Sequence, residues 1–159
     1  MGVLTNQKFA IDLLISILIT FVLSTSILSI STNHWNVNYE NSITNRTGLF
    51  QQCSNALCCN RKELDRPITL LVLCSIILLT MSALSSFILM ATTMEYTTRC
   101  YILVPMTLFG AGITMTLALI QILDRLDLNG YSGYTFIIDT LLTYIFGGIS
   151  LLHANMHYF

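Results

Sequence analysis

Charge is what this chain most lacks. Among 159 residues there are seven Lys or Arg and eight Asp or Glu, so charged residues make up only 9%, where soluble domains carry roughly 25%. A formal net charge of −1 leaves no basic patch to hold a phosphate backbone, which excludes nucleic acid as a partner. Charge gives no membrane-surface role either. The chemical motifs are missing as well. No Cys-x-x-Cys pair stands at a helix end for quinone-linked redox work, and there is no Gly-rich phosphate loop, His-Glu-x-x-His or Gly-x-Ser-x-Gly. His153 and His157 share a spacing of i and i+4 but lack further ligands, so no metal is expected. Catalysis has no visible carrier, and a non-enzymatic protein without a cofactor is the expectation. No linker, low-complexity run or internal repeat divides the chain.

What is present in excess is apolar sequence, at 54% of residues with a mean hydropathy of +0.71. Four long apolar runs cover about residues 10–30, 68–91, 101–123 and 135–154. Each is long enough to cross a bilayer, which takes about 20 helical residues at about 1.5 Å rise. The reading is an integral membrane protein with membrane lipid as solvent, and four crossings put both termini on one side. The first run is about twice the length of a signal-peptide core, so it reads as an uncleaved anchor. Between the runs lie a long loop at 31–67, a tight turn at 92–98 and a second short loop at 124–134.

Positive charge and loop chemistry disagree about orientation. Arg46, Arg61, Lys62, Arg66 and Arg125 lie on the face of the long loop and only Lys8 and Arg99 on the other, which by the positive-inside rule would put the long loop inside. Yet that loop holds a glycosylation acceptor at Asn45, in "NRT", and a close cysteine set, Cys53 with Cys58 and Cys59. Both are useful only in an oxidising, extracellular space. The chemistry outweighs the count, so the long loop reads as extracellular and the termini as cytoplasmic.

The polar loop also has an internal order. Trp35 follows the first run, then come Gly48, Leu49 and Phe50, then Cys53, then Cys58 and Cys59, and Arg66 stands just ahead of the second run. This succession resembles the signature loop of the claudin, peripheral myelin protein and epithelial membrane protein superfamily. The resemblance spans the whole chain. It implies an all-α membrane protein, a left-handed bundle of four transmembrane helices carrying a small extracellular antiparallel β-sheet built from the first loop, as one domain over residues 1–159. A disulfide clipping the sheet is implied with it. Only four residues separate Cys53 from Cys58, far fewer than in claudins, so the hairpin must be tight. Cys53 would pair with Cys59, where the extra residue eases the turn, or with Cys58, leaving an odd thiol. Phe50 replaces the usual Trp of the motif, and the C-terminus lacks the Tyr-Val of many claudins.

The residue chemistry suits that picture. Trp35, Val37 and Tyr39 alternate at strand spacing, and Trp35 suits the membrane interface, where an indole buries its ring and wets its N–H. Leu49 and Phe50 are expected to insert into the outer leaflet or the bundle top. Asp12 reads as solvated near the cytoplasmic edge, and Asp139 as bonded to a neighbouring helix, since an unpaired mid-membrane carboxylate costs about 2.5–3.5 kcal/mol. Gly110, Gly112, Gly147 and Gly148 read as sites of close helix packing within the molecule. Cys100, at the cytoplasmic start of the third run, is open to palmitoylation.

The function implied is contact between cells or membrane organisation at the plasma membrane, including cell junctions. Partners would be other membrane proteins in cis or in trans, including further copies as a homo-oligomer. Two alternatives are an auxiliary subunit modulating a channel or receptor, and a paracellular barrier or ion-pathway component lined by the loop's charges.

Overall fold

With no water in the hydrocarbon of a bilayer, a spanning segment must satisfy its own amides, and an apolar run of this length does so only as a helix. The computed structural model describes the backbone of residues 2–40, 43–54, 57–60, 66–91, 98–124 and 128–156 and the side chains of residues 9–38, 45–54, 59, 66–91, 101–124 and 128–156. In chain order it contains α1 (Gly2–Ser31), β1 (Asn36–Glu40), β2 (Ile43–Thr47), β3 (Gln51–Ser54), β4 (Leu57–Asn60), α2 (Arg66–Ala91), α3 (Thr98–Leu123) and α4 (Tyr131–Met156). All four helices are long and apolar enough to cross a membrane. They pack as a ring in which each touches its sequence neighbours and α1 closes against α4.

The bundle is apolar outside and partly polar within. Leu14, Phe21, Leu70, Ile77, Met106 and Leu141 are all more than half exposed, whereas Ser16, Ser82, Asp139 and Thr143 are buried. A protein in water would aggregate through such a surface. In lipid the outer face is solvated, and packing and polar contacts hold the helices together. Many inward hydroxyls are satisfied by the turn before them, as Thr20 is by the Ser16 carbonyl at 2.7 Å and Ser75 by that of Val72 at 2.7 Å.

The α1–α4 contact is tied at three depths. Near the termini Asp12 Oδ1 meets His153 Nε2 at 2.8 Å, with both residues buried. Further along, Thr25 Oγ1 and Ser26 Oγ donate to the Asp139 carboxylate at 2.8 and 3.0 Å. At the loop end Ser29 Oγ donates to the Ser132 carbonyl at 2.6 Å, and Thr32 Oγ1 and Ser132 Oγ lie 2.6 Å apart. Asp139 thus bonds a neighbouring helix as expected. Asp12 does not: it is 8% exposed and paired rather than solvated.

Small residues set the α3–α4 approach. A Cβ on Gly112 would come 2.9 Å from the Tyr144 ring, whose hydroxyl sits 3.1 Å from Thr116 Oγ1. Gly147 lies against Leu108 and Phe109, and a Cβ on Gly148 would meet nothing. Three of the four expected glycines therefore face neighbouring helices, Gly110 with Leu78 being the third.

The long loop folds into an antiparallel sheet of order β1-β2-β3-β4, with Asn36 opposite Thr47, Arg46 opposite Cys53 and Cys53 opposite Cys58. Helix bounds differ from the expected ones where polar residues open or close a span. α2 begins at Arg66 because Pro67 suits a first turn, where its missing N–H costs nothing. α4 begins at Tyr131, inside the expected loop 124–134, because the Ser132 N–H of its first turn finds the His34 carbonyl at 3.2 Å. Residues 92–97 of the expected turn lie outside the described residues, and Thr98 already belongs to α3.

Replacing Gly112 by Val should lower the thermal midpoint in detergent, by an overpacking cost of about 1–3 kcal/mol. Gly148→Ala, into open space within α4, should leave it unchanged or raise it.

Candidate functional site: the seat of the sheet

The link from α1 into β1 runs through residues 32–35, and the tertiary contacts of the loop region converge on it. Trp35 is fully buried. Its ring lies 5.4 Å from that of Phe136, its Nε1–H donates to the Ser29 carbonyl at 2.9 Å, and its backbone N–H donates to the Thr47 carbonyl at 3.1 Å. The indole N–H is therefore dry and bonded to the end of α1, not wetted at the interface. A buried Trp fits here because its one polar atom reaches a carbonyl near the helix end.

Two glycines enclose the same link. A Cβ on Gly48 would lie 2.6 Å from Asn33 Cα and 2.7 Å from the Thr32 carbonyl oxygen. On Gly130 it would lie 1.8 Å from the His34 carbonyl oxygen. Gly130 N–H donates to the Trp35 carbonyl at 3.0 Å, a bond that draws the two backbones together. Next to it, Asn129 Oδ1 accepts from the Val37 N–H at 2.8 Å while its Nδ2 donates to the Val37 carbonyl at 3.2 Å. Asn129 thus imitates a strand neighbour and caps part of the outer edge of β1.

Leu49 is fully buried whereas Phe50 is 38% exposed, so the pair does not insert together. The reversal Gly48–Phe50, closed by Gly48 N–H to the Gln51 carbonyl at 2.7 Å, sends the two side chains to different surroundings. Cys53 is the only buried residue of β3 and accepts from Asn33 Nδ2 at 2.9 Å, which ties the sheet to the link from its underside.

Cys59 corrects the preferred disulfide. It is a free, exposed thiol and stands opposite Gln52, so Cys53 does not pair with it. Strand alternation is the reason. Only two residues separate β3 from β4, so the register sets Cys53 against Cys58, and a slip of one position changes face. The side chains of Cys58 and Cys100 lie outside the described residues. Asn45 is half-buried in β2 with Asn38 and Ser54 across from it, and Arg66 is exposed at the start of α2.

Trp35, Gly48, Leu49 and Cys53 are thus brought together, while Phe50, Asn45, Cys59 and Arg66 are not part of the seat. Ser29, His34, Asn129, Gly130, Ser132 and Phe136 complete it and were not anticipated. The Asn-Gly dipeptide at 129–130 was the available signal, since it marks a tight backbone approach. His34 packs on Tyr131 with ring centroids 4.7 Å apart and Nδ1 3.1 Å from the phenol oxygen. Burial first and Arg46 second hold its imidazole below the ordinary value of 6.5.

No protein-family model matches this chain, and no curated protein matches it significantly.

Trp35→Phe should keep the ring contact but lose the bond to the Ser29 carbonyl, which still accepts from Thr32 Oγ1 at 3.0 Å, destabilising the protein by about 0.5–1.5 kcal/mol in a thermal-unfolding assay. The His34 contribution has a definite sign. Folding favours the neutral imidazole, so its contribution is complete above pH 6.5 and is lost as pH falls through the lower folded-state value. The thermal midpoint should drop between pH 7.5 and 5.5, and His34→Gln should flatten that part of the profile.

Proposed function

We propose that this chain is a non-enzymatic, claudin-like tetraspan of the plasma membrane. Its termini are cytoplasmic, and its sheet faces the outside of the cell and takes part in cell–cell contact or membrane organisation. The observation that carries this reading is the seat itself. Trp35, Gly48, Leu49 and Cys53, four of the residues on which the resemblance rests, are buried between sheet and helices. A sheet anchored in this way presents its other face, with Asn38, Gln52 and Ser54 exposed, as a positioned surface for another protein. A pre-positioned surface loses less entropy on binding than a mobile loop. The extracellular chemistry belongs to the same proposal: Cys53 bonded to Cys58, and a glycan on Asn45.

The test is a mixed-cell assay. Tagged protein should concentrate at contacts between two expressing cells and not at contacts with non-expressing ones, and Gln52→Glu, exposed on the outward face, should reduce that enrichment several-fold. Uniform surface distribution together with stoichiometric co-purification of a channel would instead favour the auxiliary-subunit role. Glycosidase treatment should shift the mass of the surface protein, and Asn45→Gln should abolish the shift. A long loop labelled only from the cytoplasm would overturn the topology.

A further inference from the structure

Serine in these helices ordinarily returns its hydroxyl hydrogen to a carbonyl one turn back. Ser24 donates to Thr20 at 2.8 Å, Ser85 to Met81 at 2.7 Å and Ser86 to Ala83 at 2.8 Å. Ser16, Ser82 and Ser150 depart from this habit. They are 0%, 0% and 5% exposed, and their Oγ atoms have no hydrogen-bond partner among the described residues. A buried hydroxyl with an available backbone acceptor that it does not use is directed at something else.

Their positions are related. Asp12 on α1, Ser86 on α2 and Ser150 and His153 on α4 line a cavity near the terminus end of the bundle, with Tyr101 of α3 closing it. α1 runs toward the loop end, while α2 and α4 run away from it. Ser16 is therefore one turn deeper than Asp12, Ser82 one turn deeper than Ser86, and Ser150 one turn deeper than His153. Of the three, Ser150 lines the cavity directly, in a wall that also holds the apolar Ile15, Leu89 and Val104, while Ser16 and Ser82 stand one turn deeper on the neighbouring helices. The cavity volume is about 20 Å³, and one water needs about 10–15 Å³ with two to four polar partners.

We infer that the bundle holds internal water at this cavity, which bonds the Ser150 hydroxyl and hydrates the Asp12–His153 pair. Ser86 can take part, because its hydrogen is committed to Ala83 and its lone pairs remain free to accept. The site explains how an ionisable pair is tolerated inside two spanning helices. Each partner keeps the other at 2.8 Å, and water supplies polar contact that lipid cannot.

Radiolytic hydroxyl labelling of the full chain in detergent micelles, performed in ¹⁸O water, tests the proposal. Radicals formed from bound water oxidise only adjacent side chains. Tyr101, 6% exposed and on the cavity wall, should take up ¹⁸O, while fully buried Met115, more readily oxidised but away from the cavity, should stay unlabelled. Ser150→Ala should reduce the Tyr101 labelling several-fold and lower the thermal midpoint, because it deletes a water ligand. Absence of Tyr101 labelling overturns the proposal. So does an unchanged or raised midpoint in Ser150→Ala, the behaviour expected when an idle buried hydroxyl is removed.

Discussion

The polar seam between α1 and α4 fixes what the rest of the molecule can do. Asp139 takes two hydroxyl donors from α1, Asp12 takes His153, and Ser29 and Thr32 engage Ser132, so the first and last helices are held antiparallel at a set depth. In lipid these contacts have little competition, since no water is at hand to replace them, and a slip of one turn would strand two carboxylates in hydrocarbon. Register along this seam brings the start of α4 beside the end of α1. From that juxtaposition follow the bonds from Gly130 and Ser132 to residues 34 and 35, the capping of β1 by Asn129, and the seating of the sheet.

The outward surface of the bundle imposes little beyond solubility in lipid. Leu, Ile, Phe and Met dominate it, and one can replace another there at small cost. Specific geometry resides in small and polar residues: Gly112 beneath Tyr144, Gly147 against Leu108 and Phe109, the serines and threonines of the interior. Large apolar residues such as Ile19, Leu79, Leu108 and Met115 fill the interior as they would in water, but small and polar residues are interleaved among them and set the approach of the helices. Packing by close approach is short-ranged, so a single added carbon at Gly112 is felt while several added outside are not.

The architecture was largely legible in the sequence, and the reasons it was are local. Four runs of some twenty apolar residues define spans by length alone, and the period-two pattern at Val37 together with the Gly48 turn indicates strands. What was not legible depends on partners remote in the chain. Asp12 looked solvated because His153, its neighbour in space, lies at the far end of the sequence. Trp35 looked interfacial because nothing local shows that the Ser29 carbonyl is free to receive its N–H. The choice between Cys58 and Cys59 rests on register, set jointly by two strands, and the unpartnered serines emerge only once three helices are aligned.

The short link between α1 and β1 is enclosed on one side by the Gly48 backbone and on the other by that of Gly130, each too close to admit a methyl group. Mechanically, this makes the connection a stiff joint rather than a hinge. A pull or twist applied to the sheet has no slack to take up at residues 32–35 and passes straight into the axis of α1, which carries it to the Asp12–His153 contact at the opposite end of the bundle.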